Sequence, residues 1–154
     1  GQEVAKVATA FGAEVSYFST SGKNLNRPYP HQSLELLLKS CDILSIHAPL
    51  NDATYNLINK ANLPTIKEDA ILLNLGRGGI INETDLAVEL DRRNLHAGLD
   101  VLEQEPLVLD NPLNEVTHKE RLLITPHIAW SSIEARKKLL EGIVENIQVF
   151  MEKQ

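Results

Sequence analysis

The sequence predicts an α/β domain built on a parallel, doubly wound sheet. Three observations carry this expectation. Short apolar runs alternate with helix-like segments along the whole chain. The runs are nearly continuous, as in strands covered on both faces, instead of alternating apolar with polar. No internal repeat or low-complexity tract breaks the pattern. The 154 residues are enough for one real core, and 43% apolar with 23% charged residues is ordinary for a folded chain.

Each element has its own signal. Val4, Val7, Ala8 and Phe11 recur at helical spacing, and Gly12 suits the end of that helix. Ala13–Phe18 reads as a strand from its alternation and aromatic content. Residues 19–32 are polar and rich in turn formers, hence a loop. Ser33 to Lys39 forms a short helix, and Asp42–His47 a second strand closed by Ala48-Pro49. Cys41, at that strand's start, reads as a small buried side chain. A helical turn spans Asn59 to Ile66, and Ala70–Leu75 is the third strand. Asn82 caps a helix running to about Arg93, with Asp85 three residues past the cap. Leu95–Val101 is the fourth strand, 102–120 a long loop, and Arg121–Thr125 the fifth strand, stopped by Pro126. Ser131 with Glu134 reads as a capping box, opening a helix that buries Ile133, Leu140, Ile143, Val144, Ile147 and Phe150 on one stripe.

Composition narrows the function classes. A net charge of −6 argues against a nucleic-acid partner. No apolar stretch is long enough to span a membrane, and the first residues do not read as a signal peptide. A single cysteine fits a reducing compartment, so a cytoplasmic location is expected.

Parallel α/β sheets bind ligands beyond the carboxyl ends of their strands. The residues following each strand are therefore the candidates: Ser19; His47, Ala48 and Pro49; Arg77; Asp100 with Glu103 and Glu105; and His127 with Trp130. His127 follows a strand-ending proline, and beside a carboxylate it suits acid–base work, with Glu103 or Glu105 as partner. No spacing resembles a metal signature. Arg77 stands in the glycine-rich turn Gly76–Gly79. It is either a planar fork for a carboxylate or a cap on backbone carbonyls. A phosphate loop of the GxxxxGK[ST] kind is excluded, since no lysine follows at that spacing. Trp130 either narrows a pocket mouth or packs a helix end. His31, His96 and His118 read as surface residues.

Three blocks, LLNLGRGGIIN, GLDVLEQEP and TPHIAW, joined by SIHAPLNDATYNLIN at 45–59, resemble the D-isomer-specific 2-hydroxyacid dehydrogenases over the whole chain. The resemblance implies a Rossmann domain that binds NAD and transfers a hydride between the nicotinamide and C2 of a small 2-keto or 2-hydroxy acid. It implies that Arg77 orients the substrate, His127 donates a proton to the carbonyl oxygen, and Glu105 hydrogen-bonds that histidine. Glu103 is set aside because the family's acid lies next to proline. It further implies a cofactor site formed by Gly1, Ser19, Thr20, His47, Ala48, Pro49, Thr54, Leu75, Gly76, Arg77, Asp100 and His127. Asp100 would face the nicotinamide end, and the glycines after Leu75 would let the backbone approach it. A homodimer joined through this domain, and the glycerate dehydrogenase and hydroxypyruvate reductase branch, with glyoxylate also favoured, are implied as well. Glu105 argues against the formate dehydrogenase branch, which carries glutamine there. The second reading is an NAD(H)-sensing corepressor-like binding protein of the same fold.

Two departures from the family pattern set further expectations. Gly1 matches the last glycine of G-x-G-x-x-G, so the first strand and the first two glycines are missing. The chain is thus expected to be a fragment, with residues 1–154 all nucleotide-binding domain. The central strand and the substrate domain would come from elsewhere in the intact protein, and the chain alone would be inactive. Second, Phe18 is followed by Ser19-Thr20-Ser21-Gly22-Lys23, where the family usually has an acid for the adenosine ribose. NADP is therefore compatible, with NAD kept ahead.

Overall fold

The structure, a computed structural model, describes residues 1–25 and 27–153. Along the chain run α1 (Gln2–Ala10), α2 (Leu34–Ser40), β1 (Ile43–Ile46), β2 (Ile71–Asn74), α3 (Glu83–Arg92), β3 (His96–Leu99), β4 (Leu122–Ile124) and α4 (Ile133–Glu152). Three short 3-10 turns, Leu63–Thr65, Pro112–Glu115 and Lys119–Arg121, punctuate the connections.

The four strands form one parallel sheet in the order β1-β2-β3-β4. The apolar runs predicted these strands, each two or three residues shorter than its run. Their register decides where the site lies. Ile46 pairs with Asn74, Asn74 with Leu99, and Leu99 with Ile124. The carboxyl ends are therefore level, and His47, Leu75, Asp100 and Thr125 leave the sheet along one edge.

Burial concentrates between the sheet and α3. Leu72, Leu86, Leu90 and Leu95 are fully buried, together with Ile58, Leu63, Ile80 and Leu113 from the connections. Each such side chain stabilises the fold by about 1.5–3 kcal/mol. The α3 cap is as predicted: Asn82 Oδ1 accepts from the Asp85 amide at 2.9 Å. Asp85 does not return the bond to Asn82; its carboxylate accepts from the Lys60 amide instead. Gly12 closes α1 with φ +86°, the left-handed conformation glycine adopts most cheaply.

Four expectations are corrected. Ala13–Phe18 is not a strand of the sheet: Tyr17 makes one isolated parallel bridge to His31, and nothing else among the described residues pairs with this segment. An alternating pattern gives the propensity, but a ladder needs a neighbour to accept it. The turn at 59–66 is helical only at Leu63–Thr65, as 3-10. Cys41 is half-buried at the C-cap of α2. Finally, α4 is capped by Ser132 and not Ser131, Ser132 Oγ accepting from the Ala135 amide at 3.1 Å. Its apolar stripe, Ile133 to Phe150, lies exposed, because no described element packs on it.

Candidate active site at the carboxyl edge of the sheet

His127 and Glu105 meet at this edge, with His127 Nδ1 2.8 Å from Glu105 Oε2. Both side chains are partly exposed. No hydrogen bond among the described residues engages the histidine's Nε2. The other Glu105 oxygen accepts from the Leu102 amide at 3.0 Å. That amide, then the His127 ring, hold the Glu105 carboxyl below the usual range against the opposing effect of burial.

The turn carrying His127 is fixed from beneath by Asp100, a buried carboxylate at the end of β3. Thr125 Oγ1 donates to Asp100 Oδ1 at 2.5 Å, and the amides of Ile128 and Ala129 donate to its two oxygens at 2.9 Å. Burial alone would push this carboxyl up, but those three donors outweigh it and hold it below the usual range. They also hold His127 at φ +52°, a left-handed backbone that costs a non-glycine residue about 1–3 kcal/mol.

The Gly76–Gly79 turn is shaped by the side chain of the residue that closes β2. Asn74, buried at the end of β2, donates to Arg77 O at 2.9 Å and accepts from the Gly76 amide at 3.1 Å. A Cβ at Gly78 would lie 1.9 Å from Leu102 O, so the glycine permits contact with the segment leading to Glu105. The close approach at Gly78 is therefore to the protein's own backbone, where the resemblance implied an approach to the cofactor. Arg77 is exposed, and Nη1 donates to Gly76 O at 2.9 Å. Among the described residues it has no carboxylate partner.

A cleft of about 590 Å³ is lined by Gly1, His47, Ala48, Pro49, Leu50, Leu75, Gly76 and Arg77. It joins the start of α1 to the ends of β1 and β2. The start of α1, whose backbone N–H groups favour an anion, lies at one end of this cleft. The mixed polar and apolar lining, a helix start at one end and an unpaired guanidinium at the other, fits a dinucleotide. His47 Nε2 lies 3.0 Å from Ser45 Oγ. Burial holds His47 below its ordinary value.

Of the residues expected at the cofactor, Gly1, His47, Ala48, Pro49, Leu75, Gly76 and Arg77 share this cleft, whereas Ser19, Thr20, Thr54, Asp100 and His127 do not line it. Ser19 Oγ accepts from the Asn24 amide within its own loop. Thr54 is wholly buried, its hydroxyl donating to Pro49 O at 2.7 Å. Trp130 is half-exposed. Glu103 is not the histidine's partner; its Oε1 accepts from the Tyr55 hydroxyl at 2.8 Å. Sequence reasoning missed Asn74, whose signal was a polar residue closing an apolar run, and Glu83, which looked like any acid in a first helical turn.

A parallel sheet with a histidine–carboxylate pair and a dinucleotide-sized cleft at its carboxyl edge defines a Rossmann-type nucleotide-binding domain. The profile of the family described as "D-isomer specific 2-hydroxyacid dehydrogenase, NAD binding domain" matches residues 1–129. The chain belongs to that family. It is 36% identical over 156 residues to hydroxypyruvate reductase from Blautia hydrogenotrophica, covering 98% of this chain and 47% of the relative. Among solved structures it is similar to the TT0316 protein of Thermus thermophilus (TM-score 0.87, 40% identity, covering 100% of this chain and 48% of that one). It is also similar to the acyclic imino acid reductase Bsp5 in complex with NADPH and D-Arg (TM-score 0.87, 33% identity, 99% and 48%). The chain spans about half the length of the curated relatives it matches.

Proposed function

We propose that the intact protein reduces a small 2-keto acid to the D-2-hydroxy acid, with hydroxypyruvate or glyoxylate as the favoured substrate. The observation that carries this is the His127–Glu105 contact at 2.8 Å, which leaves Nε2 free at the ligand edge of the sheet. The residues lining the cleft would hold a nicotinamide cofactor, which would supply the hydride to C2. His127 supplies the proton to the carbonyl oxygen from Nε2, while Glu105 holds Nδ1 and balances the imidazolium. Arg77, which meets no carboxylate among the described residues, holds the substrate's carboxylate and polarises its carbonyl.

NAD is kept ahead of NADP as the cofactor. The lack of a carboxylate after Phe18 leaves NADP compatible, and Lys23 stands nearby in sequence to meet a 2′-phosphate. The remainder of the intact protein supplies the substrate domain and the strand beside β1, and the protein works as a cytoplasmic homodimer.

The test is steady-state turnover of the intact protein with hydroxypyruvate, glyoxylate, pyruvate and phosphohydroxypyruvate, each with NADH and with NADPH. Reduction of hydroxypyruvate or glyoxylate, with NADH preferred, is expected. No turnover of any 2-keto acid sinks the dehydrogenase reading.

A further inference from the structure

One buried carboxylate near the site takes no part in the proposed chemistry. Glu83, the first residue of α3, is only 8% exposed. Both of its oxygens are used. Oε1 accepts from the Glu103 amide and Oε2 from the Asn111 side-chain amide, each at 2.6 Å. Ionised groups are seldom buried without such partners.

These two bonds connect the parts of the site. Glu103 lies two residues before Glu105, and the Leu102 amide beside it donates to Glu105 Oε1. Leu102 O in turn abuts Gly78 in the turn that carries Arg77. Glu83 follows that turn and begins a helix whose Leu86 and Leu90 are fixed in the core. It therefore ties the Glu103 backbone to a rigid element.

We propose that Glu83 is a positioning residue for the Glu105–His127 pair, acting through the Glu103 amide with Asn111 as its oriented partner. The proposal rests on the dehydrogenase reading. Asn111 cannot turn over to suit a different neighbour, because its Oδ1 accepts from the Leu113 amide at 2.9 Å. Glu83 must therefore present acceptors only. In Glu83→Gln an N–H₂ group faces either the Glu103 N–H or the Asn111 N–H₂, and one bond becomes donor against donor. Asn111→Asp added to Glu83→Gln restores every bond. The new carboxylate then accepts both from the Leu113 amide and from the new side-chain amide of Glu83→Gln, whose oxygen accepts from Glu103. The net charge is unchanged.

The experiment compares the intact wild type, Glu83→Gln and the double variant. Misplacing a catalytic group by about 1 Å costs about 10²-fold, so Glu83→Gln should lower kcat roughly ten- to a hundredfold. The Kd for NADH should stay within about twofold, because the cleft is untouched, and the double variant should recover kcat to within about threefold. A second readout needs no turnover: the Nδ1–H proton signal of His127 in cofactor-free protein should be lost in Glu83→Gln and return in the double variant. That signal distinguishes failure of this proposal from failure of the dehydrogenase reading, since it stands even if no 2-keto acid is reduced. A folded Glu83→Gln with wild-type kcat and signal overturns the proposal. So does a folded double variant that recovers neither. If Glu83→Gln does not fold, Glu83→Asp keeps the charge but is one methylene short of both donors, and wild-type turnover by it overturns the proposal equally.

Discussion

His127 and Glu105 are 22 residues apart in sequence, yet their side chains meet at 2.8 Å across the end of the sheet. Neither is placed by its own helix or strand. His127 sits in a turn held by Asp100, and Glu105 in a loop held by Leu102 and Glu83. The pair is set by buried carboxylates at the ends of regular elements, which is where rigidity is available.

Removing either member should therefore act on turnover more than on folding, since both are partly exposed. His127→Asn should lower kcat for 2-keto acid reduction by about 10²–10⁴-fold, the usual contribution of a positioned general acid. Glu105→Gln retains a hydrogen bond but not the charge, so its loss should be smaller, about 10–10²-fold. Steady-state kinetics on the intact protein decide it. A His127→Asn variant within tenfold of wild type would remove this histidine from the chemistry.

Asp100 gives a pH prediction for stability. Its folded carboxyl is held below the ordinary range, so the unfolded chain binds the proton more readily than the folded one. The stability it contributes is complete above the unfolded value, about pH 4, and is lost as the pH falls through the lower folded value. Asp100→Asn replaces one acceptor oxygen with a donor facing Thr125 or the backbone amides. It should cost about 1–3 kcal/mol at pH 7, the penalty of a buried group left unsatisfied. Urea unfolding at pH 7 and again near pH 3 should show the difference from wild type shrinking in acid. A difference that stays constant would mean that the carboxylate charge is not what anchors the His127 turn.

Two glycines make a matched test of packing. At Gly78 an added methyl would overlap Leu102 O at 1.9 Å, backbone against backbone, with no flexible side chain to yield. Gly78→Ala should destabilise the protein by about 1–3 kcal/mol and displace the Glu105 segment. Gly142, within α4, has nothing within 4 Å of the added atom, so Gly142→Ala should stabilise by about 0.5–1 kcal/mol through helix propensity alone. Thermal unfolding midpoints moving in opposite directions are the expected result. A Gly78→Ala midpoint equal to wild type would show that the two loops are not in contact.

The sheet was legible because buried parallel strands write themselves as continuous apolar runs, and Pro49 and Pro126 mark where two of them must stop. The strand ends also pointed to Glu105 and His127, whose side chains meet at the carboxyl edge. What stayed hidden has a common cause. Ala13–Phe18 and the stripe of α4 carry correct local patterns, but each needs a partner surface that no described element provides. Asn74, Glu83 and Asp100 act through bonds to backbone amides far along the chain, and a backbone amide carries no sequence signature.

Arg77 is where the two remaining readings of the site divide. Its guanidinium donates to its own turn at Gly76 O, as a simple cap would, and it also lines the cleft. A capping role predicts that Arg77→Ala lowers stability and leaves kinetics alone. Its fork is largely unspent, however: one of its five donors is used, and no carboxylate of the described residues meets it. Bidentate contact to a carboxylate is among the stronger polar interactions, and it weakens greatly when a point charge replaces the planar fork. Arg77→Ala should therefore lower kcat/KM for the 2-keto acid by about 10²–10³-fold and Arg77→Lys by about tenfold less. The Kd for NADH should shift by no more than about threefold in either variant, because the other lining residues of the cleft remain. Fluorescence titration of NADH alongside the kinetics separates the outcomes. If cofactor affinity collapses while KM for the keto acid is unchanged, the arginine belongs to the dinucleotide, and the substrate carboxylate must be held by a group outside these residues.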